Sequence, residues 1–261
     1  MALIPRFRMV AGPNGSGKTT LWQLLEGKYA INFYVPVNAD TMFAEASARG
    51  VLRAPLPVDV GLLECFLDNG GYPGEVTATF RDGRIRLAGD SFHFEGVGTA
   101  TTYTVALLAN FFRDQMIDAG MSFSQETVFS HPDKLDALRR AKVRGFRTYL
   151  YFVATDDPAL NIERVRQRTL AGGHGVPADK IVTRYFRSLE QVRSALQTVS
   201  RAFFFDNSGN GMRYLASFDE TSGLHLEVSS ESIPLWFSQH VLGAQSNRDA
   251  RSSTPCAWGV S

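Results

Sequence analysis

The chain has 261 residues, of which 44% are hydrophobic and 20% charged, an ordinary balance for a globular protein that can bury a core. Lys and Arg number 27 against 26 Asp and Glu, and this near-neutral charge argues against a nucleic-acid partner, since backbone phosphates are bound by clustered cations. No apolar run approaches the roughly 20 residues that cross a membrane, and the first motif begins too early to leave room for a signal peptide. We therefore expect a cytoplasmic protein.

Strands and helices alternate through the first fifty residues. Phe7 to Ala11 is a short apolar run that ends at a glycine, which predicts a buried strand. Thr19 to Leu25 is predicted as a helix and Phe33 to Val37 as a second strand. A further helix is expected from Met42 to Ala48.

The pattern changes between about residues 51 and 99, which are rich in proline and glycine. Here Val76 to Phe80 and Arg84 to Leu87 alternate in character on either side of an Asp-Gly pair, which predicts a hairpin. Asp90 to Glu95 is expected to add a third strand. We interpret this segment as a small β-rich insertion.

Regular alternation resumes at Thr102. The predicted helices are Thr102 to Gly120, Pro132 to Arg144, Pro158 to Leu170 and Ala178 to Arg201, and the predicted strands are Met121 to Gln125, Phe146 to Ala154 and Ala202 to Phe205. A closing hairpin (Arg213 to Phe218 with Leu224 to Val228) and a terminal helix (Ile233 to Leu242) follow. Apolar strands separated by helices predict an α/β fold with a mainly parallel sheet and helices on both faces. We expect one domain over residues 1–242 and a flexible tail over 243–261.

One motif identifies a phosphate-binding loop. Its eight residues fit the P-loop pattern G-x-x-x-x-G-K-[ST] in full: Gly12, Pro13, Asn14, Gly15, Ser16, Gly17, Lys18 and Thr19, with Thr20 following. The glycines let backbone N–H groups turn toward phosphate oxygens, and the helix that begins at Lys18 adds its positive end. Lys18 is suited to the β- and γ-phosphates of ATP and the Thr19 hydroxyl to Mg²⁺. The fold is therefore expected to be that of the P-loop NTPases.

Three predicted strands end on acidic residues, where ligands bind in sheets of this kind. Asp40 follows the strand after the loop's helix, where a small-molecule kinase needs a base for the attacking hydroxyl, although it also suits a helix N-cap. Glu126, followed by Thr127, is interpreted as a substrate ligand, with an internal salt bridge as the alternative. Asp206 resembles a Walker-B aspartate by pattern but is also suited to a turn with Asn207 and Ser208.

A group of arginines supplies cations for the transferring phosphate. Arg164 and Arg168 lie four residues apart on one helical face, and Arg184 follows in the next helix. A glycine-rich turn between the helices, which contains His174, suits a segment that closes over the nucleotide. We expect His174 to be a structural hydrogen-bonding residue rather than an acid or base.

These segments resemble the zeta-toxin family of P-loop kinases. The most specific match is the turn Gly172 to Pro177 followed by Lys180 to Leu189, and the resemblance covers roughly residues 6–50 and 100–220. It implies transfer of the γ-phosphate of ATP, with Mg²⁺, to a hydroxyl of a nucleotide-type acceptor, of which UDP-N-acetylglucosamine is the best known in the family. It also implies an antitoxin protein as a partner.

The same resemblance implies roles for single residues. Lys18 and Thr19 would hold phosphate and magnesium, Asp40 would be the base, and Glu126 would orient the substrate. Arg168 and Arg184 would contact the transferring phosphate, with Arg164 as the alternative to Arg168, because the motif leaves the register uncertain by one turn. The insertion at 51–99 is unusual for the family.

Three functions remain open on the sequence alone. The first is a kinase that acts on UDP-N-acetylglucosamine or a similar nucleotide sugar. The second is a kinase that acts on NAD or another nucleotide, since relatives of this type also occur among bacterial effectors. The third is a nucleotide-dependent switch or binding module without phosphate transfer, which the presence of Asp40 disfavours.

Overall fold

The computed structural model describes residues 3–96, 98–173 and 175–243. Its strands are β1 Arg6–Ala11, β2 Val35–Val37, β3 Val51–Arg53, β4 Ile85–Ala88, β5 Ser91–Phe94, β6 Phe123–Thr127, β7 Arg147–Ala154, β8 Arg201–Asp206, β9 Arg213–Asp219 and β10 Gly223–Leu226. Its helices are α1 Lys18–Tyr29, α2 Ala39–Arg49, α3 Val60–Asn69, α4 Gly74–Arg81, α5 Thr102–Asp118, α6 Asp133–Val143, α7 Pro158–Leu170, α8 Ala178–Leu196 and the single turn α9 Leu235–Phe237.

The larger sheet has seven strands in the order β10-β9-β8-β7-β1-β6-β2. Strand β2 pairs with β6, and β7 with β8, in parallel, whereas β8, β9 and β10 pair antiparallel. Strand β7 is buried along all but its first residue, because a parallel strand covered on both faces needs a continuous apolar run. The α/β class with a mainly parallel sheet is confirmed, and so is the closing hairpin of β9 and β10.

The chain divides into two compact units. The first comprises Met1–Arg8, Asn32–Glu126 and Val143–Arg147, and the second comprises Met9–Ile31, Thr127–Lys142 and Thr148–Ser261. Each unit is described by itself.

The first unit contains a small antiparallel sheet, β3-β5-β4, with a hydrophobic core of its own. In this core Phe92 of β5 packs against Phe112 of α5, with their ring centroids 5.8 Å apart. Helix α5 begins in a capping box in which Thr101 and Thr104 satisfy each other's backbone N–H groups. Ala46 of α2 is buried in the same core, so the small sheet and α5 support the helix that begins beside Asp40.

The segment at 51–99 contains two helices as well as three strands, so it is not the β-rich insertion predicted, and its strand β3 was not predicted either. Val76–Phe80, predicted as a strand, lies within α4, and the Asp-Gly pair connects this helix to β4 rather than two strands. Helix α3 was not predicted. Alternation around Thr77 and Thr79 was the misleading signal: in the helix Val76, Thr77 and Thr79 are all buried, so their packing follows the helical repeat. The observed hairpin joins β4 and β5 across Gly89 and Asp90.

In the second unit, α7 has its predicted bounds, whereas α8 ends at Leu196 rather than at the predicted Arg201, which is the first residue of β8. Asp157 caps α7 by accepting a hydrogen bond from the backbone N–H of Ala159, and Pro158 occupies the first helical turn. The predicted terminal helix is present as the α-helical turn Leu235–Phe237 followed by a π-helical segment, Ser238–Leu242. His174 and the tail beyond 243 lie outside the described residues, so both of these expectations remain predictions.

Candidate active site

The P-loop residues Gly12 to Thr19 connect β1 to α1 in the second unit, as predicted. The φ angles of Gly12, Gly15 and Gly17 are 150°, 74° and 98°. Residues with a Cβ atom rarely adopt these conformations. A Cβ on Gly12 would lie 2.0 Å from the Val153 carbonyl oxygen, and one on Gly15 2.5 Å from that of Asn161. The loop therefore requires glycine for both backbone conformation and space.

Two buried or half-buried asparagines fasten this loop from outside it. The Nδ2 of Asn161 donates to the carbonyl oxygen of Asn14 at 2.6 Å, and its Oδ1 accepts a short hydrogen bond from the Thr155 hydroxyl. The Nδ2 of Asn207 donates to the carbonyl oxygen of Ser16 at 2.9 Å. Both contacts are to carbonyl oxygens of the loop, so neither asparagine occupies one of its N–H groups. Sequence reasoning did not single out either asparagine as a site residue, and the one available signal for Asn161 was a polar residue on the apolar face of α7.

The polar side chains of the loop fit a polyphosphate. The Lys18 ammonium donates to the carbonyl oxygen of Pro13 at 2.9 Å, which keeps its charge at the loop. The Ser16 hydroxyl and the Asn14 Oδ1 are buried without a hydrogen-bond partner among the described residues. Unsatisfied buried polar atoms cost free energy, which a bound nucleotide with its cation can recover. Thr19 and Thr20 are exposed on the first turn of α1, so the Thr19 hydroxyl is accessible to a phosphate-bound Mg²⁺.

In the first unit, Asn38 brings together the predicted base and substrate ligand. Its Oδ1 accepts hydrogen bonds from the backbone N–H groups of Asp40 and Thr41 at 2.9 and 3.3 Å, and thereby caps α2. Its Nδ2 donates to the Glu126 carboxylate at 3.1 Å. Asn38, rather than Asp40, is thus the N-cap, and the Asp40 carboxylate is exposed and forms no ion pair within the described residues.

Thr127 follows Glu126 at the end of β6, and its hydroxyl oxygen accepts a hydrogen bond from the Phe129 N–H at 3.3 Å. Glu126 and Thr127 are both half-buried. The structure places these two predicted substrate ligands in succession on one strand end, although Glu126 belongs to the first unit and Thr127 to the second.

The three candidate arginines lie on α7 and α8 in the second unit. Arg168 is exposed, whereas Arg164 and Arg184 are half-buried. The Nη1 of Arg164 is buried and has no hydrogen-bond partner among residues 3–96, 98–173 and 175–243. The neighbouring Arg166 forms two 2.8 Å hydrogen bonds with Glu163 on the exposed face.

Helix α8 contacts the chain at the end of β7, next to the residues that bind the P-loop. The Tyr185 hydroxyl donates to the carbonyl oxygen of Thr155 at 2.6 Å, and Thr155 in turn contacts Asn161. Burial, together with the negative charges of Asp156 and Asp157, raises the pKa of Tyr185 well above its ordinary value.

Asp206 is used within the fold. It is 1% exposed, and its carboxylate accepts hydrogen bonds from Ser208 at 2.6 Å, from the Trp236 indole at 3.1 Å and from Arg213 at 3.2 Å. With these three donors in place, the carboxylate anchors the chain after β8, which favours the turn interpretation over the Walker-B interpretation.

The described part of the chain contains neither a metal-binding cluster of side chains nor a helix that could span a membrane. No group of three or more His, Cys, Asp or Glu side chains there is placed to hold a metal ion. None of its helices is long and apolar enough to cross a membrane.

Comparison with known proteins gives a match to one family model and a set of structures with a similar fold. Residues 94–215 match the family model described as Zeta toxin. Among solved structures, AvrRxo1-ORF1:AvrRxo1-ORF2 with sulphate ions is 13% identical with a TM-score of 0.54, covering 87% of this chain and 62% of that chain. The AvrRxo1-ORF1:-ORF2 structure with ATP is also 13% identical at 0.54, covering 99% of this chain and 67% of that one.

A third neighbour is the PezAT chromosomal toxin-antitoxin system of Streptococcus pneumoniae, at 12% identity and a TM-score of 0.48, covering 97% of this chain and 89% of that one. No curated protein matches the sequence. This chain spans only 62% of the length of the first of these neighbours, whose identity is low enough to show the fold alone. Residues 94–215 therefore match the Zeta toxin model, and the chain shares the fold of the AvrRxo1-ORF1:AvrRxo1-ORF2 structures.

Proposed function

We propose that the protein transfers the γ-phosphate of ATP to a hydroxyl of a small nucleotide-type acceptor, with UDP-N-acetylglucosamine as the first candidate. The observation that carries the proposal is the complete glycine loop, two of whose carbonyl oxygens are bound by Asn161 and Asn207. Its Asn14 Oδ1 and Ser16 hydroxyl are buried without a partner within the described residues. The ATP in the structure of AvrRxo1-ORF1:-ORF2 supports the choice of donor.

In this proposal the loop and Lys18 hold the β- and γ-phosphates, and Asp40 accepts the proton of the attacking hydroxyl. Glu126 and Thr127 orient the acceptor, because Asn38 restrains the Glu126 carboxylate and the Phe129 N–H restrains the Thr127 hydroxyl. Arg184, together with Arg168 or Arg164 of α7, would supply the cations for the transferring phosphate. Mg²⁺, held by Thr19 and the phosphates, would neutralise charge that develops during transfer.

Two alternatives to this function remain, one with a different acceptor and one without phosphate transfer. NAD or another nucleotide as acceptor would use the same residues, since only the acceptor's recognition differs. A switch or binding module without phosphate transfer would bind ATP, but it would not need Asp40 as a base. We also propose an antitoxin protein as a partner. The match of residues 94–215 to the Zeta toxin model supports this proposal.

The test is an assay of purified protein with labelled ATP and Mg²⁺ over UDP-N-acetylglucosamine, NAD, nucleosides and DNA ends. We expect labelled product from UDP-N-acetylglucosamine. Product from NAD alone would select the second acceptor class. ATP binding without product from any acceptor would contradict the kinase proposal and favour the switch.

Arg164 is proposed as the phosphate ligand of α7, in preference to Arg168, which would resolve the register left open by the sequence. An N–H of a guanidinium that is buried without an acceptor costs free energy, so it is expected only where a ligand supplies one. Arg164 lies one helical turn beyond Asn161, the residue that fastens the loop. Arg168 lies a further turn away and is exposed.

Replacing Arg164 with methionine is expected to weaken ATP binding by about 10- to 100-fold, the value of a hydrogen bond to a charged group. The free energy of unfolding without nucleotide is expected to stay the same or rise, because the Nη1 atom loses no partner. Calorimetric titration with ATP and urea unfolding measure the two quantities. The control is Arg166→Met, which removes only the exposed pair with Glu163. Unchanged ATP affinity in Arg164→Met would contradict this assignment.

A further inference from the structure

The turn formed by the last residue of β6 and the three residues after it, 127–130, has a strained backbone at Phe129. Phe129 has a φ angle of 62°, in the left-handed region that residues with a side chain rarely adopt. It is fully buried, and its ring packs edge-on against Phe152 of β7 with the ring centroids 6.3 Å apart. A bulky residue in this conformation costs on the order of 1–3 kcal/mol and persists only where its surroundings hold it.

Two side chains of α8 hold this turn. The Ser188 hydroxyl donates to the carbonyl oxygen of Val128 at 2.5 Å. The Nε2 of Gln191 donates to the carbonyl oxygen of Phe129 at 2.7 Å. In consequence two successive carbonyl groups of the turn are bound by side chains rather than by regular secondary structure.

The backbone of Phe129 also sets the orientation of the Thr127 side chain, because the Phe129 N–H donates to the Thr127 hydroxyl oxygen. Rotation of the Phe129 backbone out of the left-handed region would move this N–H. The contacts therefore form a continuous series from Gln191 through Phe129 to Thr127.

The same face of α8 is also connected, through hydrogen bonds, to the residues that bind the P-loop. Tyr185, Ser188 and Gln191 follow at intervals of three residues and so share one side of the helix. Tyr185 binds Thr155, which binds Asn161, which binds the loop at Asn14. One rigid helix thus holds both the loop that binds the phosphate donor and the turn that carries Thr127.

We propose that Ser188 and Gln191 are positioning residues for the acceptor: they hold the strained turn at Phe129 so that Thr127 presents its hydroxyl to the acceptor, in fixed relation to the P-loop. The proposal rests on the proposed function, in which Thr127 contacts the acceptor. Neither Ser188 nor Gln191 touches the reacting groups itself.

The test replaces Gln191 with methionine, which keeps the length of the side chain and removes the donor. The matched control is Gln197→Met, at the exposed C-cap of the same helix. In the transfer assay we expect the KM for the acceptor to rise about tenfold, the value of one lost hydrogen bond at the upper end of the usual range, while the KM for ATP stays unchanged. The control is expected to match the wild type in both.

A second measurement does not depend on transfer. Amide hydrogen exchange of residues 127–131 is expected to be faster in Gln191→Met than in the wild type and in Gln197→Met, because the turn loses one of its two anchors. A general loss of folding would instead raise both KM values and speed up exchange throughout the protein.

The outcomes separate this proposal from the proposed function. Transfer by the wild type with equal acceptor KM in Gln191→Met, or unchanged exchange at 127–131, would overturn the positioning role alone. A rise in the KM for ATP of the same size as that for the acceptor would also overturn it. Absence of any transfer by the wild type would overturn the kinase function and the acceptor role of Thr127 with it.

Discussion

Replacing Lys18 with alanine is expected to lower the rate of phosphate transfer by about 10³-fold or more, the largest single effect in this site. Phosphate transfer requires little covalent help from the protein, so catalysis depends on cations that compensate the charge spreading over the phosphate oxygens. The Lys18 ammonium already lies at the loop, where it donates to the Pro13 carbonyl oxygen. No second lysine of the motif can replace it.

The measurement is the initial rate of transfer from labelled ATP at saturating acceptor, together with ATP affinity. A suitable control is Lys28→Ala in the last turn of α1, whose ammonium lies 5.5 Å from the centroid of the Tyr29 ring and not in the loop. We expect this control to retain wild-type rates. Near-normal turnover in Lys18→Ala would mean that phosphate is bound elsewhere in the protein.

Replacing Asp40 with asparagine is expected to lower kcat by about 10²- to 10⁴-fold with ATP affinity unchanged. The carboxylate is exposed and forms no ion pair in the described residues, so it is available to take a proton. Helix α2 should remain intact in the variant because its cap is Asn38, which binds the backbone N–H of residue 40 and not its side chain. The loss is therefore expected in chemistry alone.

Glu45→Gln is the matched control, a carboxylate one turn further along α2 that pairs with Arg49 at 3.3 Å. Such an exposed pair is worth only about 0.3–0.5 kcal/mol, so neither stability nor rate should change measurably. Full activity of Asp40→Asn would remove the base from the mechanism. That result alone would not favour the third function, a switch without phosphate transfer. The switch would be favoured only if the wild-type protein also gave no product.

The proposals for Arg164 and for α8 concern residues that would hold the phosphate and position the acceptor, not the groups that would react. A buried N–H without a partner on α7 and a strained residue held by two side chains of α8 are features that carry a cost in the absence of ligands. Proteins retain such costs at functional sites. Both features lie in the second unit with the P-loop.

The sequence by itself determined the fold class, the order of most strands and helices, and the phosphate loop. These follow from local signals: apolar runs predict buried strands, glycines at set spacing predict the loop, and Asp157-Pro158 predicts the start of α7. Local alternation misled at Val76–Phe80, because the burial of α4 in the small core follows the packing of the helix rather than the alternation in the sequence.

Only the tertiary structure decided how the site residues are held. The contacts of Asn38 with Glu126, of Asn161 with Asn14 and of Gln191 with Phe129 each join residues far apart in the sequence. No periodicity or motif encodes such pairs, since each depends on which side chains the packed strands and helices bring within hydrogen-bond distance. The same reason explains Asp206: its pattern resembled a metal ligand, but three donors from the surrounding fold already bind its carboxylate.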